Sequence, residues 1–433
     1  MLRFILVLVA LAVITPARAA VDIQPVTSPG GYNAWLVEDH SIPFVALELR
    51  FKGGAALDLA GKKGASNLMV GLLEEGTGDM DARDFARAVE GLAASFEYDI
   101  YDDAVAISAR FLTENRDQAV ELLRGSVVEP RFDEGAIERV REQVLSVIRS
   151  DLKSPRDIAS QAMSELLYGD HPYALPLNGT LDSVAALTRD DLVTAHQNLL
   201  VRDRVYISAV GDITAEELAT LLDTLLGGLP AASVPLPGPA ELNLPGGNQV
   251  VEFATPQSVA LWAQGGIERE DPDFFPAFIL DLILGGGSFE SRLMEEVREK
   301  RGLTYGVYSF LADKDQAKLW MGSVSSANDR VAQAIEVIRT EWAKAAAEGV
   351  TAEELQDAKT YLTGAYPLRF DSNASIANIM VGMQMDNMPI DYMATRNDRV
   401  NAVTLEDMNR VAKRLLTPEA LTFVVVGQPE GLD

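Results

Sequence analysis

The sequence contains no cysteine. Disulfides, thiolate zinc sites, iron–sulfur clusters and cysteine nucleophiles are therefore excluded. Histidine is nearly absent too: in 433 residues only His40, His171 and His196 occur. Any imidazole-based metal site must draw on these three. Basic residues are in deficit, 37 Lys and Arg against 64 Asp and Glu, for a formal charge of −27. Such a chain is a poor partner for nucleic-acid backbones and anionic membrane surfaces, which both reward basic patches. Past the N-terminus no uncharged apolar run reaches the roughly 20 residues that a membrane span needs.

Apolar side chains are plentiful. Hydrophobic residues make up 48% and charged residues 23%, enough for sizeable cores, and the length calls for more than one domain. Residues 1–19, MLRFILVLVALAVITPARA, read as a signal peptide. Arg3 precedes an apolar run from Phe4 to Ile14, and Ala17-Arg18-Ala19 offers small residues at the cleavage positions. A membrane anchor is the alternative, but the run is short for one. The expectation is an exported chain, periplasmic or secreted in a bacterium, without a membrane partner after cleavage.

The remainder is written twice. Phe44-Val45-Ala46-Leu47, ahead of Gly53-Gly54, resembles Ser258-Val259-Ala260-Leu261, ahead of Gly265-Gly266. Leu187-Thr188-Arg189-Asp190-Asp191-Leu192 resembles Val403-Thr404-Leu405-Glu406-Asp407-Met408, and the strand-like run 205–210 before Gly211 matches 421–426 before Gly427. Asp157-Ile158-Ala159 matches Ser375-Ile376-Ala377. An ordered series at nearly constant offset means two homologous halves. The expected division is 1–19 leader, 20–228 first half, 229–246 Pro/Gly-rich linker and 247–433 second half. Each half combines strands with helical stretches such as 134–152 and 189–200. The expected fold is α+β: in each half, a mainly antiparallel sheet with helices packed on one face.

Two stretches carry a family resemblance. Leu284-Gly285-Gly286-Gly287, Ser291-Arg292-Leu293 and Val297 to Tyr305 resemble the second-half signature of the M16 metallopeptidases, the pitrilysin, insulinase and mitochondrial processing peptidase family. Gly64 to Thr77 resembles that family's first-half helix, where an inverted zinc motif, His-x-x-Glu-His, normally sits. The resemblance covers essentially the whole mature chain. It implies one half of a clamshell built from two subunits.

The zinc motif is where this sequence departs. Aligned on Gly64 and Gly76-Thr77, the metal histidines should fall at 67 and 71 and the catalytic glutamate at 70; the chain has Asn67, Val70 and Gly71. The third ligand of the family, a glutamate on the long helix, should fall at Val147. Two imidazoles four apart on a helix share a face and bind one zinc, and the glutamate between them takes a proton from the zinc-bound water. Asparagine is a poor ligand, and valine and glycine are none. Ala65, Leu68, Met69, Leu72 and Leu73 make this segment a packed helix, in which Gly71 allows close approach of another element.

Arg298 and Tyr305, by contrast, stand where the family grips the substrate backbone and polarises the scissile carbonyl. A guanidinium and a phenol supply fixed donors for that purpose. By charge pattern alone Arg298, among Glu295, Glu296, Glu299, Lys300 and Arg301, reads as a solvated helix face. Gly285, Gly286 and Gly287 form no phosphate loop, since no Gly-Lys-Ser/Thr follows; they turn from the apolar helix 274–284 into a helix starting near Phe289, with a possible part in guiding peptide. Two acidic groups, Glu74, Glu75, Asp79 and Asp81, and Asp99, Asp102 and Asp103, read as solvated helix ends or turns. His171 and His196 are expected to be ordinary structural residues.

The resemblance thus implies a chain without zinc or any catalytic residue of its own, which pairs with a homologous M16 subunit carrying zinc. Such a chain contributes Arg298 and Tyr305 to peptide substrates and has no nucleic-acid partner. An active zinc peptidase with non-standard ligands and a stand-alone peptide-binding or scaffold protein are the alternatives.

Overall fold

The computed structural model describes residues 22–287 and 290–432, so the expected leader lies outside the described residues. The N-terminal half holds a six-stranded sheet in the order Gln24–Thr27, Asn33–Glu38, Val205–Gly211, Phe44–Lys52, Ala104–Leu112, Ser95–Ile100. The C-terminal half holds five strands in the order Gly247–Glu252, Thr422–Gly427, Gln257–Gly265, Ala317–Ala327, Val307–Lys314. Without the strand Gln24–Thr27 the two orders are the same. Each sheet contains one parallel pair, 33–38 with 205–211 and 247–252 with 422–427, and is otherwise antiparallel. The repeat in the sequence is a repeat of topology.

Helices of each half cover one face of its own sheet. In the first half Leu47, Leu49 and Phe51 pack with Leu68, Met69 and Leu123. In the second, Trp262, Trp320 and Trp342 pack with Phe423; the Trp262 ring stacks on Phe423 at 5.8 Å. Gly322 lies under this cluster, where a Cβ would come within 2.1 Å of the Trp262 ring. The recurring Thr-x-x-Asp of the repeat explains itself here: Thr188 with Asp191 and Thr404 with Asp407 form capping boxes on the helices Arg189–Leu199 and Leu405–Leu415.

The opposite faces are covered by exchange. The helix Pro155–Tyr168 leaves its half and lays Ala159, Met163 and Leu167 on the C-terminal sheet, against Leu319, Val424 and Val426. The helix Asn373–Met385 returns the contact, setting Ala377 and Met380 on Ala46 and Val210 of the N-terminal sheet. Ser208 Oγ donates to Ala377 O at 2.6 Å and Gln384 Nε2 to Ile207 O at 2.7 Å. Double coverage is why Thr422 to Gly427 is buried at every position instead of alternating.

Two expectations change. Asp102 and Asp103 are not solvated turn residues: Lys314 pairs with Asp102, Tyr173 donates to Asp103, and the backbone N–H of Asp315 donates to Asp103 at 3.1 Å. A charge that bridges the two halves is invisible in a local charge pattern. The helix after Gly64 is also shorter than its apolar stripe, Ala65–Val70, with Leu72 and Leu73 buried in the turn that follows. Residues 229–246 contain no helix or strand.

Candidate functional site

The helix Ala65–Val70 is fixed at its start. Gly64 takes a φ of 90°, and a Cβ there would meet Asn178 O at 2.7 Å. Asp58 accepts from Gly64 N at 2.7 Å and Ser66 N at 2.9 Å; burial nonetheless holds its carboxyl above the usual range. The buried Lys63 ammonium donates to Ala55 O at 2.8 Å, and burial lowers its pKa.

This helix, the long helix Glu134–Asp151 and the edge strand Ser95–Ile100 enclose a cavity of 370 Å³. Asn67, Val70, Gly71 and Val147 all line it. Asn67 Nδ2 donates to Asn178 Oδ1 at 3.2 Å, and Asn178 Nδ2 to Asp151 Oδ2 at 3.2 Å. The wall is close at Gly71, where a Cβ would lie 3.1 Å from Val140 Cγ1. Val147 is 49% exposed, an apolar side chain at the mouth. Tyr98 donates to or accepts from Ser126 Oγ at 2.6 Å, and burial pushes its phenol above the ordinary value.

The donor set does not fit zinc. The polar residues along it are Asn67, Gln143 and Asn178, Tyr98, whose hydroxyl is turned to Ser126, and one acidic residue, Asp99. Zinc in proteins takes imidazole, thiolate and carboxylate, three or four together. Among the described residues no three His, Cys, Asp or Glu side chains gather in a metal-holding group.

The second-half residues stand apart from this cavity; none of them lines it. Arg298 sits on a π-helical stretch, Met294–Glu299, with its guanidinium 3.0 Å from Glu299 Oε1. Tyr305 is 90% exposed. Its loop is pinned next door, since Thr304 Oγ1 donates to Ser325 O at 2.7 Å and accepts from Gly306 N at 3.1 Å. Gly285 O accepts from Ser309 N at 2.9 Å, and a Cβ on Gly285 would come within 2.8 Å of that nitrogen. The glycines therefore tie the helix Phe274–Leu284 to the strand Val307–Lys314. The helix expected from Phe289, a residue outside those described, is seen from Arg292 onward.

The histidines are held elsewhere. His40 Nδ1 lies 2.7 Å from Asp212 Oδ1, His171 Nε2 lies 3.1 Å from Gly238 O, and His196 Nε2 lies 2.8 Å from Val127 O. His196 is buried, which lowers its pKa. Sequence reasoning missed Gln143 and Tyr98 as lining residues, because neither carries a motif.

Comparison with known proteins agrees with this geometry. Residues 34–181 match the insulinase (peptidase family M16) model and residues 186–362 the peptidase M16 inactive domain model. The chain belongs to the M16 peptidase family. A crystal structure of a peptidase M16 inactive domain from Pseudomonas fluorescens superimposes on this M16 chain with a TM-score of 0.88 at 29% identity, covering 95% of this chain and 100% of that one. A non-peptidase homolog, YmxG, of Helicobacter pylori is 26% identical over 90% of both chains. An uncharacterized zinc protease of Mycobacterium leprae is also 26% identical, over 92% of this chain and 90% of that one. These two curated relatives, one described as a non-peptidase and one as a zinc protease, thus share the same identity with this chain. In this M16 chain the zinc-helix cavity has no imidazole or carboxylate at positions 67, 70, 71 and 147.

Proposed function

We propose that the chain is the non-catalytic subunit of an exported two-subunit M16 peptidase. It pairs with a zinc-bearing homologue and presents Arg298 and Tyr305 to the peptide held between the two. The observation that carries this reading is the 370 Å³ cavity, where none of the four positions expected to hold ligands and base offers an imidazole or a carboxylate. A guanidinium and an outward phenol remain on the other half, the donor types that bind peptide carbonyls and a developing oxyanion. The excess of 64 acidic over 37 basic residues favours extended basic peptides through steering.

The test is an assay of unfolded peptides with the isolated chain and with its mixture with an M16 homologue that has an intact His-x-x-Glu-His helix. The isolated chain is expected to cleave nothing with added zinc, and the mixture to cleave in a chelator-sensitive manner. Zinc-dependent cleavage by the isolated chain would replace this reading with that of an unusual active peptidase. A mixture no more active than the homologue alone would favour a stand-alone binding protein.

A further inference from the structure

A second cavity, of 440 Å³, lies in the C-terminal half between residues 269–276 and the helix Tyr392–Ala402. Arg269, Arg399 and Arg410 line it together with Phe274, Phe275 and Pro276. Three carboxylates, Glu270, Asp271 and Asp407, line it as well. Arg410 is neutralised, 2.7 Å from Asp273 and 3.0 Å from Asp407, while Arg414 engages Asp271 at 2.6 Å. Among the described residues neither Arg269 nor Arg399 makes an ion pair; each contacts aromatic rings instead. Arg269 lies 4.4 Å from the Phe274 ring centre and donates to Tyr392 Oη at 3.2 Å. Arg399 lies 5.6 Å from the centre of the same Tyr392 ring.

The buried Tyr392 ring therefore touches both guanidinium groups and sets their spacing. Behind it stands a further cation, the buried Arg396, 4.4 Å over Tyr366 and donating to Leu362 O at 3.0 Å. Packing accounts for Arg396, which is buried. It does not account for Arg399, which is exposed at the cavity wall. The opposing carboxylates are Glu270, Asp271 and Asp407, all three in the lining and the last two ion-paired with Arg414 and Arg410, and Asp386, which feels the charge of Arg269.

We propose that this cavity is a carboxylate-binding pocket that takes an anionic group attached to an apolar body, as on a peptide. A guanidinium presents paired N–H donors that match a carboxylate, and Phe274, Phe275 and Pro276 form the apolar floor. The carboxylate has two possible sources: a peptide C-terminus, or an internal Glu or Asp side chain.

The test uses the isolated chain, with binding read by fluorescence polarisation at low and moderate salt. The probes are a labelled peptide ending in Phe as free acid or as amide, and a second, C-terminally amidated peptide with an internal Glu or Gln. One member of one pair, the carboxylate form, is expected to bind about tenfold or more tightly than its neutral twin. R399Q is expected to remove most of that preference, and R269K to weaken it by keeping charge without the fork. Equal affinities within both pairs, absence of binding by all four, or a preference unchanged in R399Q would overturn the proposal. The melting temperature of R399Q should match the parent, since its side chain is exposed. The outcome leaves the subunit-pairing reading untouched, because that reading is decided by cleavage with the partner.

Discussion

Arg141 and Lys359 make the same connection in the two halves, 218 positions apart. Arg141 donates to Val184 O at 2.7 Å and Leu187 O at 2.9 Å; Lys359 donates to Asn401 O at 2.9 Å and to Val403 O. Leu187 and Val403 each precede the threonine that caps the next helix. A long helix in each half thus satisfies carbonyls left open at the end of the helix before that cap. Arg141 is buried, so R141A should strand Leu187 O, leave Val184 O only its bond from Leu187 N, and cost about 2–3 kcal/mol. K359A, on a half-buried side chain, should cost about 1 kcal/mol. Denaturant titration of both variants checks the order.

Asp281 should make stability depend on acid pH. Its carboxyl is buried under Trp320, and burial raises its pKa from 3.8 to about 6. The folded chain therefore holds a proton that the unfolded chain releases, and this group's contribution falls as pH rises from about 4 to 6, by up to about 3 kcal/mol. Ser309 Oγ and Trp320 Nε1 both donate to Oδ1, at 2.7 Å each, and an asparagine oxygen accepts both. D281N is expected to be more stable than the parent at pH 7, with the difference vanishing near pH 4. Thermal unfolding of the two proteins across that range measures it.

The exchanged helices should make the two halves unfold together. Met380 belongs to a C-terminal helix but is buried on the N-terminal sheet. M380A should cost about 2–4 kcal/mol and should lower the midpoint reported by Trp262, Trp320 and Trp342 in the other core, within a single transition. Two separated fluorescence transitions would show that the exchange couples the halves weakly.

The zinc-helix cavity should accept metal once donors are supplied. The quadruple variant N67H, V70E, G71H, V147E places two imidazoles four residues apart on one side and a carboxylate on the other. The Gly71 substitution pushes on Val140 Cγ1, which an added Cβ would approach to 3.1 Å. Adding V140A should therefore tighten zinc binding further. Chelator competition should give no binding at this cavity for the parent, binding for the quadruple variant and tighter binding with V140A.

The two-half organisation was legible because it rests on local signals repeated in order: the capping threonines, the strand–glycine pairs and the apolar periods. The four cavity positions Asn67, Val70, Gly71 and Val147 were also legible, since two of the elements that form the cavity carry recognisable sequence. The exchange of Pro155–Tyr168 and Asn373–Met385 was not. An apolar helix face announces that it is buried without naming the sheet that buries it. The pairing of Lys314 with Asp102 failed for the same reason, as did the burial of His196: partners distant in the chain decide both. Gln143 and Tyr98 reach the cavity through tertiary placement alone.

The central claim is that this chain assists a catalyst and carries no catalytic centre of its own. Its most direct test is kcat/KM for unfolded peptide in the reconstituted pair with R298A or Y305F in this chain. Each substitution is expected to lower kcat/KM by about 10- to 100-fold, the range for loss of one positioned donor, with zinc content and pairing unchanged. Parent-level activity in both variants would contradict the account.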